Sequence, residues 1–114
     1  MSAQRKLERK KLIFYLKVFG EKTNRLIGDL VDITTEGIKL IGSRPVKTEI
    51  TYKLRMDLPR EIDGEKKIIF NAQSRWCEKD DRTDFYNTGF KLTAISPDDI
   101  NRIENLILEY SHAV

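Results

Sequence analysis

The chain has 114 residues, of which 39% are hydrophobic and 9% aromatic, with a net charge of +3 and one cysteine. A chain of this length forms one domain and buries roughly two thirds of its unfolded surface, so it needs no metal or disulfide staple. Its longest apolar run, Leu12–Leu16, is too short to cross a bilayer, no signal-peptide pattern is visible, and Cys77 has no second cysteine to pair with; these features predict a cytoplasmic protein without membrane insertion.

The positive charge is concentrated at the start. Arg5, Lys6, Arg9, Lys10 and Lys11 against Glu8 give the first eleven residues a charge of +4, whereas the remainder carries 16 basic and 17 acidic side chains. The reading is a flexible basic segment over residues 1–11 and a single folded domain over residues 12–114. The first strand is expected at Lys11–Phe19, which is rich in branched and aromatic residues. Two short apolar segments follow, Leu26–Ile33 and Gly37–Ile41, separated by Thr34-Thr35-Glu36. Glu49–Leu58 alternates strictly, with Ile50, Tyr52, Leu54, Met56 and Leu58 on one side. Pro59–Lys67 contains Pro, Asp and Gly and reads as a turn or loop. Lys67–Cys77 alternates again, and places Ile68, Phe70, Ala72, Ser74 and Trp76 inward. Glu78–Asp84 reads as a charged connector and Phe85–Ile95 as the last strand.

The end of the chain changes period. Ser96 can cap a helix, Pro97 suits its first position, and Asp98 and Asp99 favour the positive end of its dipole. Ile100, Ile103, Leu106, Ile107 and Tyr110 then recur at helical spacing, which predicts a helix over about 96–112. The fold class is all-β dominated: a small six- to seven-stranded antiparallel β-barrel with a C-terminal α-helix.

Little here suggests catalysis. His112 is the single histidine and Cys77 lies in a strand pattern, so neither a Cys/His nucleophile pair nor a zinc site is expected. No phosphate-binding glycine loop occurs. The expectation is a protein that is not an enzyme, with no catalytic residues, no metal and no cofactor.

Two stretches carry binding chemistry. Arg5 and Arg9 stand at i and i+4, so they share a side in a helix and also in an extended segment, where they lie roughly 13 Å apart. Their planar forks match phosphate oxygens and the O6/N7 edge of guanine. A basic terminus that merely aids solubility explains the same residues. Asp32-Ile33-Thr34-Thr35-Glu36-Gly37 reads as a hairpin turn, with Gly37 in the left-handed position after a type I turn. That turn also presents a carboxylate, a hydroxyl and a bare backbone side by side. A carboxylate accepts from the N1–H and N2–H₂ edge of guanine, a hydroxyl bonds phosphate or base, and glycine admits a flat ring.

Together these stretches resemble the PilZ family of cyclic di-GMP receptors. Arg5 and Arg9 match its RxxxR element before the first strand, and Asp32 and Gly37 match its (D/N)xSxxG element, with Thr34 in place of the usual serine. Ile38–Leu40, Ser43-Arg44-Pro45-Val46, Trp76, and Gly89-Phe90 before Ser96-Pro97-Asp98-Asp99 also look like the family pattern. The resemblance implies cyclic di-GMP as ligand, held by Arg5, Arg9, Asp32, Thr34 and Gly37. Arg75, expected to point outward if Trp76 points inward, is an additional candidate. It further implies that ligand folds the N-terminal arginines onto the barrel and signals to a downstream protein partner. Two alternatives stay open: an adaptor of the same fold that binds proteins and no nucleotide, and a small nucleic-acid-binding barrel. The nucleic-acid alternative needs exposed aromatic residues on a sheet face, and the inward parity of Tyr52, Phe70 and Trp76 makes nucleic acid the less expected partner.

Overall fold

A computed structural model describes residues 10–62 and 64–112. The described residues form seven strands and one helix: β1 (Lys10–Gly20), β2 (Leu26–Ile33), β3 (Gly37–Gly42), β4 (Thr51–Ile62), β5 (Glu65–Lys79), β6 (Tyr86–Ala94), α1 (Pro97–Tyr110) and β7 (Ser111–His112). The strands run in the order β2-β3-β6-β5-β4-β1, and β1 also pairs with β2, which closes a six-stranded antiparallel barrel. The short β7 adds to β1 through Lys11 and Leu12. Among the described residues no helix is long and apolar enough to cross a membrane.

The alternation seen in the sequence builds the interior. Leu54 and Met56 of β4 and Ile68, Phe70 and Ala72 of β5 are all buried. They meet Val18, Leu30, Leu40 and Phe90 from the other strands. Each of these side chains except Ala72 contributes about 1.5–3 kcal/mol by leaving water. Tyr52 closes one end of the core, edge-on to Phe90 at 6.2 Å between ring centroids. Buried Ser74 donates to the Lys47 carbonyl at 2.6 Å and accepts from the Ile50 amide at 3.3 Å, so a polar side chain inside the barrel anchors the loop before β4.

β1 pairs with β4 only over Val18–Gly20, and the helix packs against β1 and β7. Ser96 caps it, accepting from the Asp99 amide at 3.1 Å. Ile103 and Leu106 are buried against the barrel. Arg60 holds both carboxylate oxygens of Glu109, at 2.7 and 2.9 Å, and Arg102 donates to the Ile62 carbonyl at 3.3 Å. The helix stops at Tyr110, and residues 111–112 turn into β7 instead of continuing it.

Several sequence expectations are corrected. Pro59–Lys67 is mostly strand: β4 runs to Ile62, β5 begins at Glu65, and Ile62 pairs with Glu65. Pro59 is tolerated because the pairing is irregular between Asp57 and Ile62, where no ladder amide is required of it. Gly64 supplies the tight turn with φ +83°. Gly37, by contrast, is not left-handed. It is needed because a Cβ there would sit 2.6 Å from the Phe90 carbonyl oxygen.

The largest correction concerns Trp76, which is 40% exposed and points outward. Ser74 pairs with Phe90 and Trp76 with Gly89, so β5 carries one residue more than β6 between them. This bulge breaks the two-residue period. Arg75 also faces outward, as expected, although the premise that Trp76 faces inward fails.

Candidate functional site

The Asp32–Gly37 segment forms the β2–β3 turn. The Thr34 amide donates to the Gly37 carbonyl at 2.9 Å. The Thr34 hydroxyl accepts from the Glu36 and Gly37 amides, at 3.1 and 3.2 Å, and reaches the Gly37 carbonyl at 3.5 Å. The hydroxyl is therefore spent mainly on shaping the turn. The Glu36 carbonyl accepts from the Leu92 amide at 2.9 Å, which ties the turn to β6. These bonds fix the turn relative to the sheet.

Beside the turn, on the outside of the barrel, lies a groove of about 290 Å³. Asp32, Thr34, Glu36 and Gly37 form one wall and Arg75 and Trp76 the other, with Gly89 and Lys91 between them. The β5 bulge creates this arrangement, because it turns two successive side chains outward onto β6. The indole of Trp76 lies directly over Gly89: a Cβ at residue 89 would stand 2.2 Å from Nε1 and 2.4 Å from Cε2. Glycine is thus the residue that lets the ring settle on the sheet. Arg75 approaches the Glu49 carboxylate at 3.7 Å, with both side chains at least half exposed, a pair too solvated to hold the guanidinium firmly.

The groove combines a carboxylate, a flat indole face and the cations Lys39, Arg75 and Lys91. Such a set suits a planar ring with hydrogen-bond donors on its edge and an anionic group nearby. Among the described residues, no three His, Cys, Asp or Glu side chains gather to hold a metal ion.

Four sequence-expected residues, Asp32, Thr34, Gly37 and Arg75, line this one groove. Arg5 and Arg9 lie outside the described residues. Among the described residues, Lys10 pairs with Ile33 and Lys11 with Asp32. Sequence reasoning missed Trp76, Lys39 and Lys91. A signal for Trp76 was present: the residues after it, Cys77-Glu78-Lys79, no longer supply an apolar inward position, which marks the end of regular alternation.

The sequence matches the PilZ domain family model over residues 3–109. Among curated protein sequences none matches this chain. Three solved structures share the fold. The Bacillus subtilis inhibitor of motility MotI/DgrA is 15% identical with a TM-score of 0.72, covering 92% of this chain and 49% of its own. The K. pneumonia MrkH–c-di-GMP complex is 17% identical with a TM-score of 0.66, covering 92% and 51%. The Borreliella burgdorferi PlzA protein in complex with c-di-GMP is 10% identical with a TM-score of 0.51, covering 98% and 56%. The chain thus spans about half the length of these proteins.

Proposed function

The chain belongs to the PilZ domain family, and from that premise we propose that it is a cyclic di-GMP receptor, acting in the cytoplasm by binding and not by catalysis. The observation that carries the proposal is that Asp32, Thr34 and Gly37 of one family element line a single groove, beside which Lys10 and Lys11 of β1 pair with Ile33 and Asp32. Arg9 precedes Lys10 by one peptide link, which spans about 3.8 Å between Cα atoms. We infer from that link that Arg9, and Arg5 with it, reaches the groove when ligand binds.

In this reading Asp32 accepts from the N1–H and N2–H₂ edge of one guanine. Trp76 offers its face to the base, a contact worth about 1–3 kcal/mol. Arg5 and Arg9 take phosphate and the guanine O6/N7 edge. Arg75 exchanges its solvated contact with Glu49 for a ligand phosphate. Thr34 acts chiefly by holding the turn, and its long bond to the Gly37 carbonyl is the one that ligand can redirect. The groove stands at the lower limit of the roughly 300–1,000 Å³ usual for ligand pockets. A dinucleotide would overfill it, so the arginine segment supplies the missing cover. Closure of that segment onto bound ligand is the signal passed to a partner protein.

A nucleic-acid reading gains one observation, since outward Trp76 is the exposed aromatic it requires. Against it, residues 12–114 carry 16 basic and 17 acidic side chains, so the body lacks the basic excess that a nucleic-acid surface spreads over one face.

Trp76 is the single tryptophan of the chain, so its fluorescence reports on this groove. Titration with cyclic di-GMP is expected to quench it saturably, with the midpoint moved roughly ten- to a hundredfold in Arg9→Ala, the loss of one charge-assisted contact. Neither quenching nor a higher melting temperature at saturating ligand would overturn the receptor reading. A response to single-stranded oligonucleotide alone would favour the nucleic-acid reading.

A further inference from the structure

A second groove, of about 570 Å³, lies at the other end of the β2–β3 ribbon. At about 3.3 Å per residue, Leu26 stands roughly 25 Å along β2 from the Thr34 turn. The groove is lined by the start of β2, the end of β3, the Ser43–Val46 loop and Phe85. Its surface is unusually apolar for an exposed site: Leu26 is 53% and Phe85 48% exposed, with Ile27, Ile41 and Val46 beside them. The two strands meet tightly beneath it. A Cβ on Gly28 would stand 2.7 Å from the Ile41 carbonyl oxygen, and one on Gly42 2.4 Å from that of Ile27. The apolar side chains thus rest on a backbone with no room to shift.

The rim is cationic. Arg25 and Arg44 both line the groove, and neither guanidinium pairs with a carboxylate among the described residues. Asp29 is the one acid that lines the groove, and it stands 3.3 Å from Lys17, so the two arginines leave the rim with a positive surplus. An apolar centre with a cationic rim is the complement of an apolar segment flanked by carboxylates. An aromatic side chain such as Phe85 within the patch, with arginine at its edge, is a usual anchor of protein interfaces. Single-stranded nucleic acid would use stacked aromatics, whereas this floor is mostly aliphatic.

We propose that this groove docks a short segment of a partner protein in which apolar side chains are flanked by aspartate or glutamate. The inference goes beyond the nucleotide reading and stands without it. Because the two grooves lie at opposite ends of one ribbon, both can be filled at once.

The test is a two-dimensional amide NMR titration of the full chain with the amidated hexapeptide DELFDE. The charge-reversed peptide KKLFKK, a single-stranded oligonucleotide and vesicles of anionic lipid serve as comparisons. The expected result is saturable shifts at residues 25–29, 41–44, 46 and 85 with DELFDE alone. Arg44→Glu should weaken binding at least tenfold, and Phe85→Ser should do so through the apolar contact. Retained spectral dispersion in each variant shows that its fold is intact. Addition of cyclic di-GMP should leave the DELFDE shifts in place. Absence of shifts up to millimolar peptide, shifts scattered over the surface, or equal binding of KKLFKK would overturn the proposal. A response confined to oligonucleotide or vesicles would overturn it in favour of that other partner.

Discussion

The two halves of β5 follow different rules. From Ile68 to Ser74 the strand alternates, and Ile68, Phe70, Ala72 and Ser74 are all buried. From Arg75 onward it does not: one extra residue enters opposite β6, and Arg75 and Trp76 both face out. The regular half fills the barrel and the irregular half lines the groove beside the β2–β3 turn. Regular pairing gives a strand one inward and one outward set, which suffices for a core. Turning two neighbouring side chains onto the same outer face takes a bulge, and a glycine opposite to receive the ring. The candidate site stands where the repeating pattern ends.

Substitutions can break or sharpen that contrast. Phe70→Ala, in the regular half, should lower stability by about 3–5 kcal/mol, measured by urea denaturation; a change below roughly 1 kcal/mol would remove β5 from the centre of the core. Trp76→Ala, six residues on, should cost ligand affinity about 1–3 kcal/mol while destabilising the fold less than Phe70→Ala. Paired calorimetric and denaturation data check that separation, and equal loss of stability in both variants would erase it. Thr34→Val keeps the shape but removes the hydroxyl that accepts from the Glu36 and Gly37 amides. It should cost about 0.5–1.5 kcal/mol, seen as weaker binding together with faster amide exchange at residues 36 and 37. Arg75→Gln should have the smallest effect on stability, about 0–1 kcal/mol, because its contact with Glu49 is solvated; a larger loss in thermal melting would mean that the pair is structural.

Much of the fold was legible because burial on one face of a strand imposes a period of two. Leu54 and Met56 or Ile68 and Phe70 announce their strands, and Ser96-Pro97 announces the helix. What stayed hidden depends on pairing between distant segments. The orientation of Trp76 follows from the register of β5 against β6; Cys77-Glu78-Lys79 marks locally that alternation ends, but not which way the indole turns. The strand beyond Pro59 was obscured because proline and glycine in one stretch suggest a loop, whereas here Pro59 sits in an irregular pairing and Gly64 in the turn. Gly37 was legible as necessary but for a different cause, the nearby Phe90 carbonyl instead of a left-handed backbone. In the candidate site, Asp32 and Gly37 could be read from their spacing, while Lys39 and Lys91 join only when β3 lies beside β6.

The most direct measurement is calorimetric titration of cyclic di-GMP into the full chain at about 0.15 M salt, the physiological screening regime, with Arg9→Ala in parallel. Saturable binding by the native chain, weakened roughly ten- to a hundredfold in the variant, is the predicted result, and it would join the basic head to the groove on the barrel. Equal binding by both proteins would contradict the clamp, and no heat from either, with no rise in melting temperature, would contradict the receptor reading itself.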